Sequence, residues 1–508
     1  MFRDRGCEFL RTGLIIGCAI VTNSNRLFSQ LEETTLSESQ KPAHTPFHFG
    51  FVLASLAVAL TVGFGYAAVL AVLIGFQWPM GNWWVAMLQA HGHAQLLGWI
   101  GLFIIGVSLY FLPRLAGTPL RHPRLPAWIL SLLGTGIFLR AVSQPLLAAG
   151  LEEPIHTGLR WTLGFSACLE TAGVFCYLFL LVGTLRGAAP DRPALQTVRI
   201  FLAIAVAGWG LYSLLAATLA LQAGFGDNPL LHIAWNRFGI ELFTGFVILP
   251  TAMAFSVRTF PLYLRLPAVR WPVARYGQVY LLALIVIHVP VLAQLTGMPF
   301  ASSLAHLSPI GKILRGGILL LFIWKLDILF RWYPPWTVHR IGEPGPDRRP
   351  TRPGLPDYGE FGRFELLLYA AFVFLALAAA AELLDGALVL FRMASPFDPD
   401  ALRHTHLAGF ITLLLLGMAP RMVPGFLHKR RVAFPGLVVA TFAFATAAAL
   451  CRIAPLLLAE ILHRVPGGLT VSMTAFGISG VLGWLAAAVL AYNLLQTWRN
   501  STADTREP

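Results

Sequence analysis

Twelve windows of this chain are apolar over about 20 residues or more, the length a helix needs to cross the hydrocarbon core of a bilayer. They fall at 49–76, 86–112, 127–149, 161–186, 197–222, 233–257, 276–297, 311–333, 364–391, 402–424, 433–462 and 468–497. In lipid, every backbone N–H and C=O has to be satisfied within the protein, which leaves helices or closed barrels as the spanning structures. Runs of this length fit helices, and the pattern predicts an all-α membrane protein of twelve transmembrane helices. Composition agrees. The chain is 56% hydrophobic and 12% charged, against about 25% charged residues in a soluble domain.

The windows divide the chain into residues 46–333 with helices 1–8 and residues 364–498 with helices 9–12. The Pro-, Gly- and Arg-rich stretch 334–363 is expected to be a cytoplasmic linker. Residues 1–45 read as an unstructured cytoplasmic extension, since its apolar run Gly13–Val21 is too short to span, and 499–508 read as a cytoplasmic tail.

A net charge of +13 would suit a nucleic-acid partner, but the Lys and Arg residues sit in short loops between apolar runs. Arg114, Arg121 and Arg124 follow helix 2, Arg258, Arg265, Arg270 and Arg275 follow helix 6, and Lys429, Arg430 and Arg431 follow helix 10. Arg340, Arg348, Arg349 and Arg352 occupy the linker, whereas residues 77–88 carry no charge and 222–232 carry only Asp227. Positive charge marks cytoplasmic loops. Both termini are therefore expected in the cytoplasm of a multi-pass protein of a bacterial inner membrane, with lipid and not nucleic acid as its surroundings. The five cysteines are scattered and form no metal-type pair.

On this topology nine of the fourteen histidines fall in the outer half or outer loops: His91, His93, His156, His232, His288, His306, His404, His406 and His463. Imidazole is costly in a membrane without a partner. The sharpest motif is His91-Gly92-His93 at the outer start of helix 2, matched by His404-Thr405-His406 at the outer start of helix 10. Helical residues two apart are separated by about 200° around the axis. The two rings of each pair therefore point to opposite sides, which suits a helix standing between two large planar cofactors and not two ligands on one ion. Heme iron accepts neutral imidazole as an axial ligand. The competing role for such histidines is hydrogen bonding to loop carbonyls or water at the interface.

Helix 2 reads His91-Gly-His-Ala-Gln-Leu-Leu-Gly-Trp99, continues through Gly106 and ends Tyr110-Phe-Leu-Pro113-Arg114. This resembles the bis-histidine helix of the heme–copper oxidase and nitric-oxide reductase superfamily. More narrowly, the chain resembles the NnrS family of twelve-helix heme- and copper-containing membrane proteins linked to nitric oxide. The resemblance implies one or two b-type hemes near the periplasmic face. His93 and His406 would hold one heme and His404 a second, leaving His91 without a counterpart. It also implies a copper site, for which His232, His288 and His306 are the candidates. The chain departs from the superfamily pattern in lacking a His-x-x-x-Tyr step on helix 6 and a double histidine on helix 7. In the superfamily the bis-histidine helix is the tenth, whereas here helix 2 carries its sequence.

Arg237 and Arg403 lie at the level of the histidines and are candidates for heme propionates, because Arg binds carboxylates bidentately. Arg237 and Glu241 stand i,i+4 and could pair with each other. Glu170, Arg140 and Arg452 fall deeper in their helices, and Glu170 is a candidate proton-relay group or interhelical contact. Arg114, Arg258 and Arg421 recur beside Pro113, Pro261 and Pro424 at the inner ends of helices 2, 6 and 10, which hints at three four-helix pseudo-repeats. The expectation is a membrane heme protein handling nitric oxide or another diatomic gas. Without a Cys-x-x-Cys-His attachment site in the chain, its electrons would come from a separate cytochrome or quinone. The alternatives are a twelve-helix secondary transporter and a heme-binding sensor or assembly factor without turnover.

Overall fold

The structure, a computed structural model, describes residues 46–189, 192–264, 266–330 and 358–500. The expected extension at 1–45, the linker up to 357 and the tail from 501 lie outside the described residues. Among the described residues, twelve helices are long and apolar enough to cross a membrane: α1 (Gly50–Gly75), α2 (Trp84–Ala116), α3 (Leu125–Ala148), α4 (Ile155–Arg186), α5 (Pro193–Phe225), α6 (Ile233–Tyr263), α7 (Val273–Leu295), α8 (Ala301–Leu326), α9 (Phe364–Leu390), α10 (Pro399–Phe426), α11 (Leu437–Leu457) and α12 (Gly468–Arg499). The largest departure from the apolar windows is α8, which starts at Ala301 and stops at Leu326. It stops there because Asp327 turns left-handed (φ 57°), a conformation Asp tolerates better than most residues.

Nine helices form a closed ring in the order α1, α3, α4, α5, α7, α8, α9, α11, α12 and back to α1, each packing on the next. The three left out of the ring, α2, α6 and α10, fill its centre. Their most apolar windows are 83%, 72% and 83% buried, against 28–50% for the other nine. Every fourth helix is thus drawn inward, giving three four-helix arcs around a common axis. The sequence follows from this placement. A central helix must be apolar on all sides, and α2 buries Trp99 and Phe103, α6 buries Phe243 and Phe260, and α10 buries Phe410 and Met418. Ring helices instead turn large apolar side chains outward, among them Trp128, Phe138, Trp161 and Phe165, as a lipid-facing surface requires.

Each central helix also widens into a π-helical stretch: Ala94–Gly101 in α2, Thr244–Ile248 in α6 and Thr405–Thr412 in α10. In α2 and α10 the wide turn begins directly after a histidine. A fourth wide turn, Ala59–Gly63 in α1, ends at a Gly63 whose backbone leaves helical geometry (φ −78°, ψ −102°). The indole N–H of Trp484 on α12 donates to the Leu60 carbonyl within that turn at 2.9 Å. Such wide turns are uncommon and concentrate at functional sites.

Association between α1 and α12 rests on small residues that bring two backbones together, the usual device in lipid where no hydrophobic force drives helices together. A Cβ added to Gly480 would lie 2.6 Å from the Ala67 carbonyl oxygen and 2.7 Å from Ala68 Cα. Gly480→Leu should therefore prise α1 from α12 and cost about 1–3 kcal/mol, the range for overpacking a well-packed contact. The check is the melting temperature of the protein in detergent, where an unchanged value would contradict the close approach.

Candidate functional site

The two His-x-His pairs send their rings to opposite sides of their helices, as the helical repeat requires. On α2, His91 faces α1, where its Nδ1 lies 2.9 Å from the Gly63 carbonyl oxygen. On α10, the Nδ1 of His404 lies 2.7 Å from the Asp400 carbonyl oxygen. A carbonyl only accepts, so both rings carry their proton on Nδ1 and present a bare Nε2 lone pair. That tautomer, with the N–H given to the backbone, is the one a metal-ligating histidine adopts. His91 and His404 lie within electrostatic reach of each other, as does Arg452 of α11, and all three are half-buried. The Arg452 guanidinium stacks over the Phe476 ring of α12 at 4.0 Å. Two histidines from two of the central helices and one arginine thus lie near one another beside α1, α11 and α12.

His93 points the other way and has no free nitrogen. Its Nε2 is 2.9 Å from Glu170 Oε2 on α4, and its Nδ1 is 3.0 Å from the Tyr212 hydroxyl on α5. With Nε2–H donated to the carboxylate, Tyr212 donates to Nδ1. Arg140 of α3 reaches the same Glu170 oxygen at 3.4 Å, and its Nε donates to Gln144. From Gln144 the chain continues to Gln89 and on to the backbone of Leu231, just before α6. His93, Glu170 and Arg140 are all more than nine-tenths buried. Glu170 is not the lone carboxylate that its place in the sequence suggests. The resemblance assigned His93 to a heme; in this structure both of its ring nitrogens are engaged, by Glu170 and Tyr212.

A third cluster lies between α7, α8, α9 and α10. Arg315 of α8 grips Glu382 of α9 bidentately at 2.9 and 2.6 Å, and His406 Nε2 is 3.6 Å from the same carboxylate. One turn away, Lys312 pairs with Asp385 at 2.7 Å. His406 and His288 give their Nδ1 protons to the Leu402 and Leu284 carbonyls and keep a buried Nε2 without a hydrogen-bond partner. The Tyr280 hydroxyl donates to the Gly245 carbonyl in the wide turn of α6 at 2.6 Å. His288, His406 and both ion pairs line a cavity of about 1160 Å³.

The remaining candidates sit at the rim of this cavity or outside it. His232 precedes α6 and is exposed at the rim, and Arg237 is also exposed there and makes no ion pair with Glu241. Arg403 pairs with Asp400 at 2.8 Å, so its charge is already partly answered. His306 is exposed on the short connection inside α8. Among the described residues no three His, Cys, Asp or Glu side chains come close enough to hold a metal ion, so His232, His288 and His306 are not brought together. The residues that the motifs passed over are Lys312, Arg315, Glu382, Asp385, Tyr212 and Tyr280. The first four carried a signal: two cations three residues apart in one span and two carboxylates three apart in the next.

Removing one partner of a buried ion pair strands the other charge, at a cost of about 3–5 kcal/mol. Glu170→Leu and Arg140→Leu should each destabilise the protein by that order, whereas the double variant should lose clearly less than the sum. Thermal unfolding of the purified variants checks this; additive losses would mean that the two groups do not act as a pair.

No protein-family description matches the chain, and no curated protein matches it. Among solved structures, a heme–copper terminal oxidase, determined as a dimer by cryo-electron microscopy, superposes with a TM-score of 0.64. The match covers 89% of this chain and 84% of the oxidase chain at 13% sequence identity. The ring of nine helices around α2, α6 and α10 is thus the architecture of heme–copper oxidase subunit I, and this chain has that fold.

Proposed function

We propose that the chain is a membrane heme protein of the heme–copper oxidase type, holding a b-type heme between His91 of α2 and His404 of α10. The observation that carries this reading is the common state of the two rings: both are locked by a backbone carbonyl with Nε2 bare, in one compartment, on the two central helices. This replaces His93 and His406, the pair that the sequence resemblance favours, because His93 is fully hydrogen-bonded. Bound there, a heme supplies one-electron chemistry through its iron. The protein's own part is to fix both imidazoles in the ligating tautomer, to exclude lipid and water with α1, α11 and α12, and to offer Arg452 to the propionates.

The outer cavity, with the bare Nε2 atoms of His406 and His288, is the place for the second heme or the copper ion that the resemblance implies. Nitric oxide, the ligand linked to the NnrS family, would then act where an iron keeps an open position. Reducing equivalents would come from a separate cytochrome or from quinol. The periplasmic placement of the site follows from the charge asymmetry of the loops.

The test is the reduced-minus-oxidised visible spectrum of detergent-purified protein, with pyridine hemochrome and copper analysis on the same sample. A b-type signal is expected, lost in His91→Ala and in His404→Ala and retained in His93→Ala. Loss in His93→Ala with retention in His91→Ala would reverse the assignment. A colourless, metal-free protein after expression with ample heme would sink the heme reading and leave a twelve-helix transporter in its place.

A further inference from the structure

At the opposite end of the bundle from the histidines, the connection between α2 and α3 folds against the end of α4. Thr118 Oγ1 donates to the Thr184 carbonyl, and the Arg121 backbone N–H donates to Thr184 Oγ1, both at 3.4 Å. These bonds frame a small pocket of about 290 Å³ lined by Thr118, Arg121, Thr184 and Arg186. Arg121 is laid along Gly183, where an added Cβ would meet its Cδ at 3.1 Å, and the Arg192 guanidinium occupies the space that a Cβ on Gly117 would need. Glycine at both positions lets the two guanidinium groups lie flat on the backbone beside the pocket. Among the described residues, no carboxylate pairs with Arg121, Arg186 or Arg192.

The α4 surface that continues from the pocket toward the membrane is aromatic. His122 stacks on Phe179 at 5.4 Å with an interplanar angle of 15°. Phe179 is 58% exposed and Phe175 43% exposed. A cluster of cations with no counterion among the described residues, joined to an exposed apolar strip at the end of the spanning helices, is complementary to one kind of molecule. Basic pockets between transmembrane helices on the cytoplasmic side take anionic headgroups, and an acyl chain has the Phe175–Phe179 strip to lie on. We propose that this pocket is a binding site for an anionic phospholipid, its phosphate held by Arg121, Arg186 and Arg192. Inorganic phosphate offers the same charge without the chain, so the aromatic strip decides for the lipid.

Native mass spectrometry of the full-length protein in detergent, titrated with phosphatidylglycerol, phosphatidylcholine or inorganic phosphate, tests the site. One phosphatidylglycerol per chain should bind first. Each arginine near a membrane surface contributes about 1 kcal/mol, roughly fivefold in affinity, so Arg121→Ala/Arg186→Ala should weaken binding roughly 25-fold. Arg124→Ala, outside the pocket wall, should leave it unchanged. Phe179→Ala should weaken phosphatidylglycerol binding without touching the arginines, which separates loss of the chain contact from loss of charge. Equal binding of phosphatidylcholine, displacement of the lipid by inorganic phosphate, or an unaffected double arginine variant that elutes as folded protein would each overturn the proposal. The heme spectrum does not enter this test, so the two readings stand or fall separately.

Discussion

An imidazole inside a bilayer has one N–H to give away and no water to take it, and the histidine site is organised around that constraint. His91, His404, His406 and His288 solve it in the same way, by donating Nδ1–H to a backbone carbonyl. For three of them the acceptor is the carbonyl four residues earlier on the same helix. His91 instead borrows from α1, where the wide turn at Ala59–Gly63 swings the Gly63 carbonyl out of helical register. A local irregularity in one helix thereby fixes the ring orientation and tautomer of a residue on another. His93 solves the same problem with side chains, and in doing so gives up its second nitrogen.

The arrangement of α2, α6 and α10 inside nine others turns this chemistry into geography. Each His-x-His pair straddles a central helix, so one ring faces one compartment and the second ring another. His91 and His404 share a compartment with Arg452. His93 faces a packed network with Glu170, Arg140 and Tyr212, and His406 faces an open cavity across Glu382 and Arg315. The second histidines of both pairs therefore meet a buried glutamate that is itself held by an arginine from the preceding helix. The two clusters differ in access: Glu382 and Arg315 line the cavity themselves, whereas the Glu170 network reaches it only through Gln89.

The features legible in the sequence were those set by period and length. Twelve spans follow from apolar runs, and the opposed rings of each His-x-His pair follow from 100° per residue. Arg114, Arg258 and Arg421 beside prolines recorded the four-helix interval, and helices 2, 6 and 10 are the ones at the centre of the bundle. Which histidines share a compartment was not legible, because it depends on the roll of two helices about axes that no local pattern records. The hydrogen bonds of His93 to Glu170 and Tyr212, residues 77 and 119 positions away, were equally illegible. The end of α8 was misplaced because the apolar run continues past Asp327, while the backbone reverses there. Exposed His232 and His306 had been grouped with buried His288 since depth along a helix is readable and radial position is not.

The ion pairs between α8 and α9 constrain how the chain can be made. An isolated cation or carboxylate in the middle of a spanning helix costs about 2.5–3.5 kcal/mol at insertion. Arg315 and Glu382 are each nine-tenths or more buried, and Lys312 and Asp385 repeat the pairing one turn away. Neither helix is comfortable in lipid until it finds the other, yet the longest connection in the bundle separates them in synthesis. Pairing across that connection removes two charges of each sign from contact with lipid once α9 has joined α8.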